Sequence, residues 1–240
     1  MRITLDKAPV GQSLYIDRIA GADFADRMGR MGLYEKAWLM RLNESVAIGP
    51  VKVRCGGATA ILSGWLAGQM VIHLDDDRRL PLPECSPGDK GHVEGIAGQK
   101  QVEASLFALG ITEGDGIECI RRIPPMTYRF RVNGRKERIN EGFAAHILGS
   151  TTEGRTQFSS VGVGEVFAVQ TILPGADAQP TLTAMGVAPG AELILTGVSV
   201  SHDLDLAPDH PIACVTRDGM RLYLREQDAA GIFVTTEDGG

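Results

Sequence analysis

Three imperfect copies of one segment run along the chain, and this constrains its fold more than any other feature. The stretch Pro9-Val10-Gly11-Gln12-Ser13-Leu14-Tyr15-Ile16-Asp17-Arg18-Ile19-Ala20-Gly21 returns as Ser86-Pro87-Gly88-Asp89-Lys90-Gly91-His92-Val93-Glu94-Gly95-Ile96-Ala97-Gly98. It returns more loosely from Val163-Gly164 through Val166, Val169 and Ile172 to Gly175. Farther along each copy comes Met31-Gly32-Leu33, Leu109-Gly110-Ile111 or Met185-Gly186-Val187, with glycines spaced by 78 and 76 residues. Then follow a proline-led apolar run, a glycine turn (Gly56-Gly57, Asn133-Gly134, Asp218-Gly219) and a short closing apolar segment with small residues. A period of about 77 residues exceeds that of a stacking solenoid unit, so each copy is expected to be a small domain: 1–77, 78–152 and 153–240.

Within a copy the elements read as short. The chain carries 30 glycines and 12 prolines among 240 residues, which argues for turns and against long helices or a coiled coil. Tyr128-Arg129-Phe130-Arg131-Val132 alternates apolar and charged residues with the period of a half-buried antiparallel strand. The segments ahead of Gly32, Gly110 and Gly186 fit one or two helical turns ended by a left-handed glycine. Glu113-Gly114 and Pro189-Gly190 then form a turn into a strand. Copy one has Lys36 where the others have glycine, so its turn must be of another type or strained. The expected fold is mainly β: three tandem SH3-like small barrels of five strands, each with a short inserted helix.

This order of elements, with its Leu/Met-Gly-Leu/Ile/Val helix end, its Pro-Gly turn and its glycine hairpin, resembles the FeoA family. The resemblance implies small cytoplasmic SH3-like accessory domains of ferrous-iron transport that act on the membrane transporter FeoB without catalysis. The same pattern is similar to the SH3-like C-terminal domain of DtxR-type metal-dependent repressors, which implies the alternative of a metal-binding or metal-sensing regulator. No helix-turn-helix precedes the copies, and the net charge is −6, so nucleic acid is not the expected partner.

Charge is unevenly shared. Basic and acidic residues number nine and nine in 1–77, eleven and nine in 78–152, and four and twelve in 153–240, giving 0, +2 and −8. Arg129, Arg131 and Arg135 belong to a basic hairpin that is either a solvated outer face or a docking site for an acidic surface. No apolar run is long enough to span a membrane, and the first residues lack the apolar core of a signal peptide, so a cytoplasmic chain is expected. Cys55, Cys85, Cys119 and Cys214 form no C-x-x-C pair and are expected as free thiols.

Few residue patterns in the chain point to chemistry. No nucleophile triad, P-loop or dinucleotide fingerprint stands in a supporting context, so the chain is expected not to be an enzyme. His202, Asp203, Asp205, Asp209 and His210 fall within nine residues and supply imidazoles and carboxylates suited to Fe(II) or another divalent transition metal. His73, His92 and His146 are isolated in sequence and read as structural or exposed. Asp75-Asp76-Asp77-Arg78-Arg79 and Thr151 to Gln157 read as linkers between copies. Trp38 and Trp65, the only tryptophans, together with Tyr15, read either as packing residues or as a platform for a partner.

Overall fold

A computed structural model describes residues 2–44, 46, 48–175, 178–201 and 211–236. In chain order the elements are β1 (Ile3–Thr4), β2 (Ser13–Ile19), α1 (Ala22–Arg30), β3 (Trp38–Arg41), β4 (Val51–Cys55), β5 (Ala58–Leu62), α2 (Gly64–Ala67), β6 (Met70–Leu74), β7 (Arg79–Pro81), β8 (Lys90–Ile96), α3 (Lys100–Ala108) and β9 (Gly116–Arg122). They continue with β10 (Met126–Val132), β11 (Arg135–Asn140), α4 (Glu141–His146), β12 (Ile147–Thr151), β13 (Gly154–Gln157), β14 (Val166–Ile172), α5 (Ala178–Ala184), β15 (Glu192–Val200), β16 (Ile212–Thr216), β17 (Arg221–Leu224), α6 (Glu226–Ala229) and β18 (Ile232–Thr236). The protein is mainly β, and no helix among the described residues is long and apolar enough to cross a membrane.

Among the described residues, three six-stranded sheets repeat one topology: β5-β4-β9-β8-β6-β7, β11-β10-β15-β14-β12-β13 and β17-β16-β3-β2-β18-β1. Each has two different end strands, so the expected closed five-stranded barrels are corrected to open sheets of six. The added edge strands β1, β7 and β13 are two to four residues long, too short to show a periodicity in sequence. The first sheet uses residues 51–122, the second 126–200, and the third joins 3–41 to 212–236. Sheet boundaries therefore differ from the boundaries of the sequence copies: each sheet combines the second half of one copy with the first half of the next, and the chain ends meet in the closing sheet. Asp75–Asp77 is the β6–β7 turn, and 151–157 holds the β12–β13 hairpin, which corrects the linker readings.

Proline marks each exchange. Every passage between sheets carries it: Pro50 before β4, Pro124-Pro125 before β10 and Pro211 before β16. The residue before a proline is held extended, which suits a segment that leaves one sheet and enters the next. Tight turns occur instead inside a half-copy, where Gly56-Gly57 and Asn133-Gly134 have positive φ at both positions, as two-residue hairpins require.

The three cores follow the sheets. Leu14, Ile16, Met28, Leu39, Leu222 and Val234 fill the closing sheet's core, Val53, Leu62, Ile72, Val93, Leu106 and Cys119 that of 51–122, and Phe130, Phe158, Phe167, Leu182 and Leu195 that of 126–200. All four cysteines are free and buried, and burial pushes the Cys85 and Cys214 thiols up to about 12.

Polar contacts then lock the sheets together. Arg27 of α1 is 5% exposed and donates from Nε to the Gly98 carbonyl at 2.9 Å, while Arg30 meets Glu113 at 2.7 Å. Gln157 exchanges two hydrogen bonds of 2.8 Å with the backbone of Ile61. Glu84 accepts from both Arg221 and the Tyr223 hydroxyl, which holds the Tyr223 pKa above its ordinary value through burial and this carboxylate.

Candidate functional site

A groove of about 770 Å³ runs between the closing sheet and the 51–122 sheet. Tyr15 of β2 and Trp38 of β3 are direct cross-strand partners in it, with Tyr34, Lys36, Arg217 and Asp218 beside them and Arg79 and Glu94 on the opposite wall. Two of the aromatic residues singled out in sequence thus share one surface. Tyr34 is 64% exposed, and the Arg217 guanidinium lies 6.0 Å from the Trp38 ring. Asp218 is paired with Arg79 across the groove, and its carboxyl is held below the usual range by the Thr216 hydroxyl and by Arg79.

The turn that carries Lys36 is the same as in the other copies. Lys36, Gly114 and Gly190 have φ of 70°, 85° and 88°, and each amide donates to the matching strand residue, Ile16, Val93 or Val169. The lysine therefore occupies a left-handed conformation that costs a side-chain-bearing residue roughly 1–3 kcal/mol.

One wall of the groove continues into a cluster of nitrogen and oxygen donors. His73 of β6 and His92 of β8 are direct cross-strand partners, with ring centroids 5.0 Å apart. Glu94 lies two residues beyond His92, at the point where the β6–β8 register shifts and a residue is left without an opposite number. Such a bulge re-aims side chains. Glu94 Oε2 stands 3.5 Å from His73 Nδ1 and 3.4 Å from His92 Nε2, and its Oε1 is 3.5 Å from Arg79. His73 Nε2 is 3.0 Å from Asp77 Oδ1. Asp77 has φ 73° and is third in the four-residue β6–β7 loop, a left-handed position that helps close the turn. Among the described residues, His73, His92 and Glu94 are the group of histidine, cysteine and carboxylate side chains that could hold a metal ion, with one donor atom from each within 4.8 Å of the others.

Reading the histidines as isolated missed this pairing, because His73 and His92 are far apart in sequence and meet only through the β6–β8 register. The repeat held the available signal, since it aligns His92 and Glu94 with Tyr15 and Asp17.

The remaining sequence candidates lie elsewhere. Trp65 packs where the sheets meet, 5.9 Å from the His146 ring and 5.4 Å from the Arg225 guanidinium, so it is not on the Tyr15–Trp38 surface. Arg129 and Arg131 point outward from the 126–200 sheet opposite Arg138 and Lys136, and Arg135 pairs with Glu137 at 3.4 Å. Like charges directly opposite oppose strand pairing, so this basic face is held by the buried Tyr128, Phe130 and Val132 on the other side. His202, Asp203, Asp205, Asp209 and His210 lie outside the described residues.

Comparison with known families bears on part of the chain. Residues 80–150 match the FeoA domain. No curated protein and no solved structure matches the chain. The matched segment supplies β8, α3 and β9 to the 51–122 sheet and β10, β11, α4 and β12 to the 126–200 sheet. It also carries His92 and Glu94, while His73 precedes it.

Proposed function

We propose that this chain is a non-enzymatic accessory protein of ferrous-iron transport, built from three FeoA-like SH3-like units whose halves are exchanged in a ring, and acting by contact with a FeoB-type transporter on the cytoplasmic side. The FeoA-domain match over residues 80–150 carries this reading. The equivalence of the three sheets supports its extension to the whole chain, because all three share one strand order, register shift and left-handed turn, and the matched residues contribute to two of them. The Tyr15–Trp38 groove and the Arg129–Arg131 face are the two surfaces proposed for the transporter.

Exchange of halves alters how the proposal is tested. Removing one sequence copy would break two sheets, so surface substitutions are required. The tagged full chain is recovered from native membranes under anaerobic, iron-replete conditions, alongside Trp38→Ala and Arg129→Glu/Arg131→Glu variants. Co-recovery of a ferrous-iron transporter, reduced at least tenfold in one variant, supports the reading. Absence of the transporter, together with unchanged anaerobic Fe(II) uptake in cells lacking this chain, overturns it.

A further inference from the structure

We propose that His73 Nδ1, His92 Nε2 and Glu94 Oε2 form a three-ligand site for a divalent first-row transition metal ion of the Fe(II) class. The site goes beyond the transport reading and does not rest on it. Two imidazoles and one carboxylate on one face, with the remaining positions open, are the donor set of non-haem Fe(II) centres. Metal–ligand bonds of about 2.0–2.2 Å place neighbouring donors about 3.0–3.5 Å apart. The carboxylate oxygen already stands 3.5 and 3.4 Å from the two ring nitrogens, and one donor atom of each residue lies within 4.8 Å of the others.

The surrounding residues fit the same assignment. Asp77 on His73 Nε2 favours the tautomer that protonates this nitrogen and leaves Nδ1 with a free lone pair, the outer-shell pattern of metal-binding histidines. Arg79 engages Glu94 Oε1 and Asp218, leaving Oε2 turned to the imidazoles. Gly91, at the end of this strand pairing, has no room for a side chain: a Cβ there would lie 2.1 Å from the His73 carbonyl oxygen. The histidine strands are thus held at close approach.

The fold supplies its own comparison. The register shift recurs in all three sheets, so the positions of His73, His92 and Glu94 are occupied by Thr235, Tyr15 and Asp17 in the closing sheet and by Ser150, Ala168 and Gln170 in the 126–200 sheet. Folding of this strand pair therefore needs no imidazole at these places. Only the 51–122 sheet carries the complete donor set. Its ligands come from two sequence copies, and the site borders the Tyr15–Trp38 groove through Glu94. With three protein ligands and an exposed His92, an ion there keeps positions for water or an incoming ligand, which suits reversible loading rather than a structural role.

The test titrates the full chain anaerobically with Fe(II) by calorimetry and with Mn(II) by electron paramagnetic resonance. Expected is one ion that is lost, by 100-fold or more in affinity, in both His92→Ala and Glu94→Gln. The metal-free thermal midpoint of His92→Ala should match the parent, because this ring is half exposed. Asp77→Asn should weaken the same ion on the order of tenfold. The double variant His202→Ala/His210→Ala should retain it. The inference is overturned if the parent binds neither ion, if binding survives His92→Ala and Glu94→Gln, or if the ion disappears in the His202/His210 variant. No membrane component enters this titration, so its failure leaves the transporter reading standing, and the reverse.

Discussion

Ile16 and Val234, from the two ends of the chain, are cross-strand partners, and they are 2% and 0% exposed. β18 joins β1 to β2, so the closing sheet depends on this strand. Removing residues 232–240 strips Ile232 and Val234 from this core. Burial of such side chains contributes about 1.5–3 kcal/mol each, a large share of an ordinary domain's net stability. The truncated chain is expected to lose amide-exchange protection in β2 and β3 while β8, β9, β14 and β15 stay protected. Uniform protection equal to that of the full chain would contradict the closure described here.

Lys36 offers the opposite kind of change. Its φ of 70° matches that of its glycine counterparts, and its amide already donates to Ile16 O at 2.7 Å, so glycine fits the same turn without altering it. Glycine relieves the side-chain strain at some cost in unfolded-chain entropy. Lys36→Gly is expected to stabilise the protein by about 1 kcal/mol in urea unfolding, and a loss of stability would show that the lysine side chain, not the turn, holds this part of the groove.

Local rules were legible in the sequence and long-range pairing was not. Gly32, Gly110 and Gly186 take the left-handed helix ends that their positions predict, and Phe130 and Arg131 face inward and outward as their alternation requires. These features depend on a few neighbouring residues. Which half-copy pairs with which depends instead on contacts between strands far apart in sequence, a choice between two pairings with the same strand patterns. The metal-capable cluster was hidden for the same reason: His73 and His92 become neighbours only after β6 and β8 adopt their register. Trp65 could be read either way from sequence, and its contacts with His146 and Arg225 place it between sheets.

His146 gives a prediction in pH. Its Nδ1 faces the Gly142 carbonyl at 2.7 Å, its Nε2 is buried without a partner among the described residues, and burial lowers its pKa below the ordinary value of 6.5. The native state therefore binds fewer protons than the unfolded state as the pH falls below about 6.5. Stability contributed by the neutral ring is present above that pH and is lost on acidification, with a limiting slope of about 1.4 kcal/mol per pH unit. His146→Gln should remove this component. The difference in unfolding free energy between parent and variant should thus shift against the parent from pH 7.5 to 5.5; a difference independent of pH would rule out a neutral buried imidazole.

Arg27 tests how firmly the sheets are locked. It belongs to α1, packed on the closing sheet, but its Nε–H is given to Gly98 and its NH1 lies 3.4 Å from Glu103, both in the 51–122 half of the junction. Being 5% exposed, the guanidinium has little water to replace these partners. Hydrogen bonds to charged groups contribute about 1.5–3 kcal/mol, and truncation also strands a buried carbonyl. Arg27→Met retains most of the aliphatic stem and is expected to cost about 2 kcal/mol in urea unfolding. Combining it with Glu103→Gln separates the two contacts. If the Gly98 bond dominates, the double variant should be destabilised by nearly the sum of the single effects; strong non-additivity would assign the lock to the Glu103 pair instead.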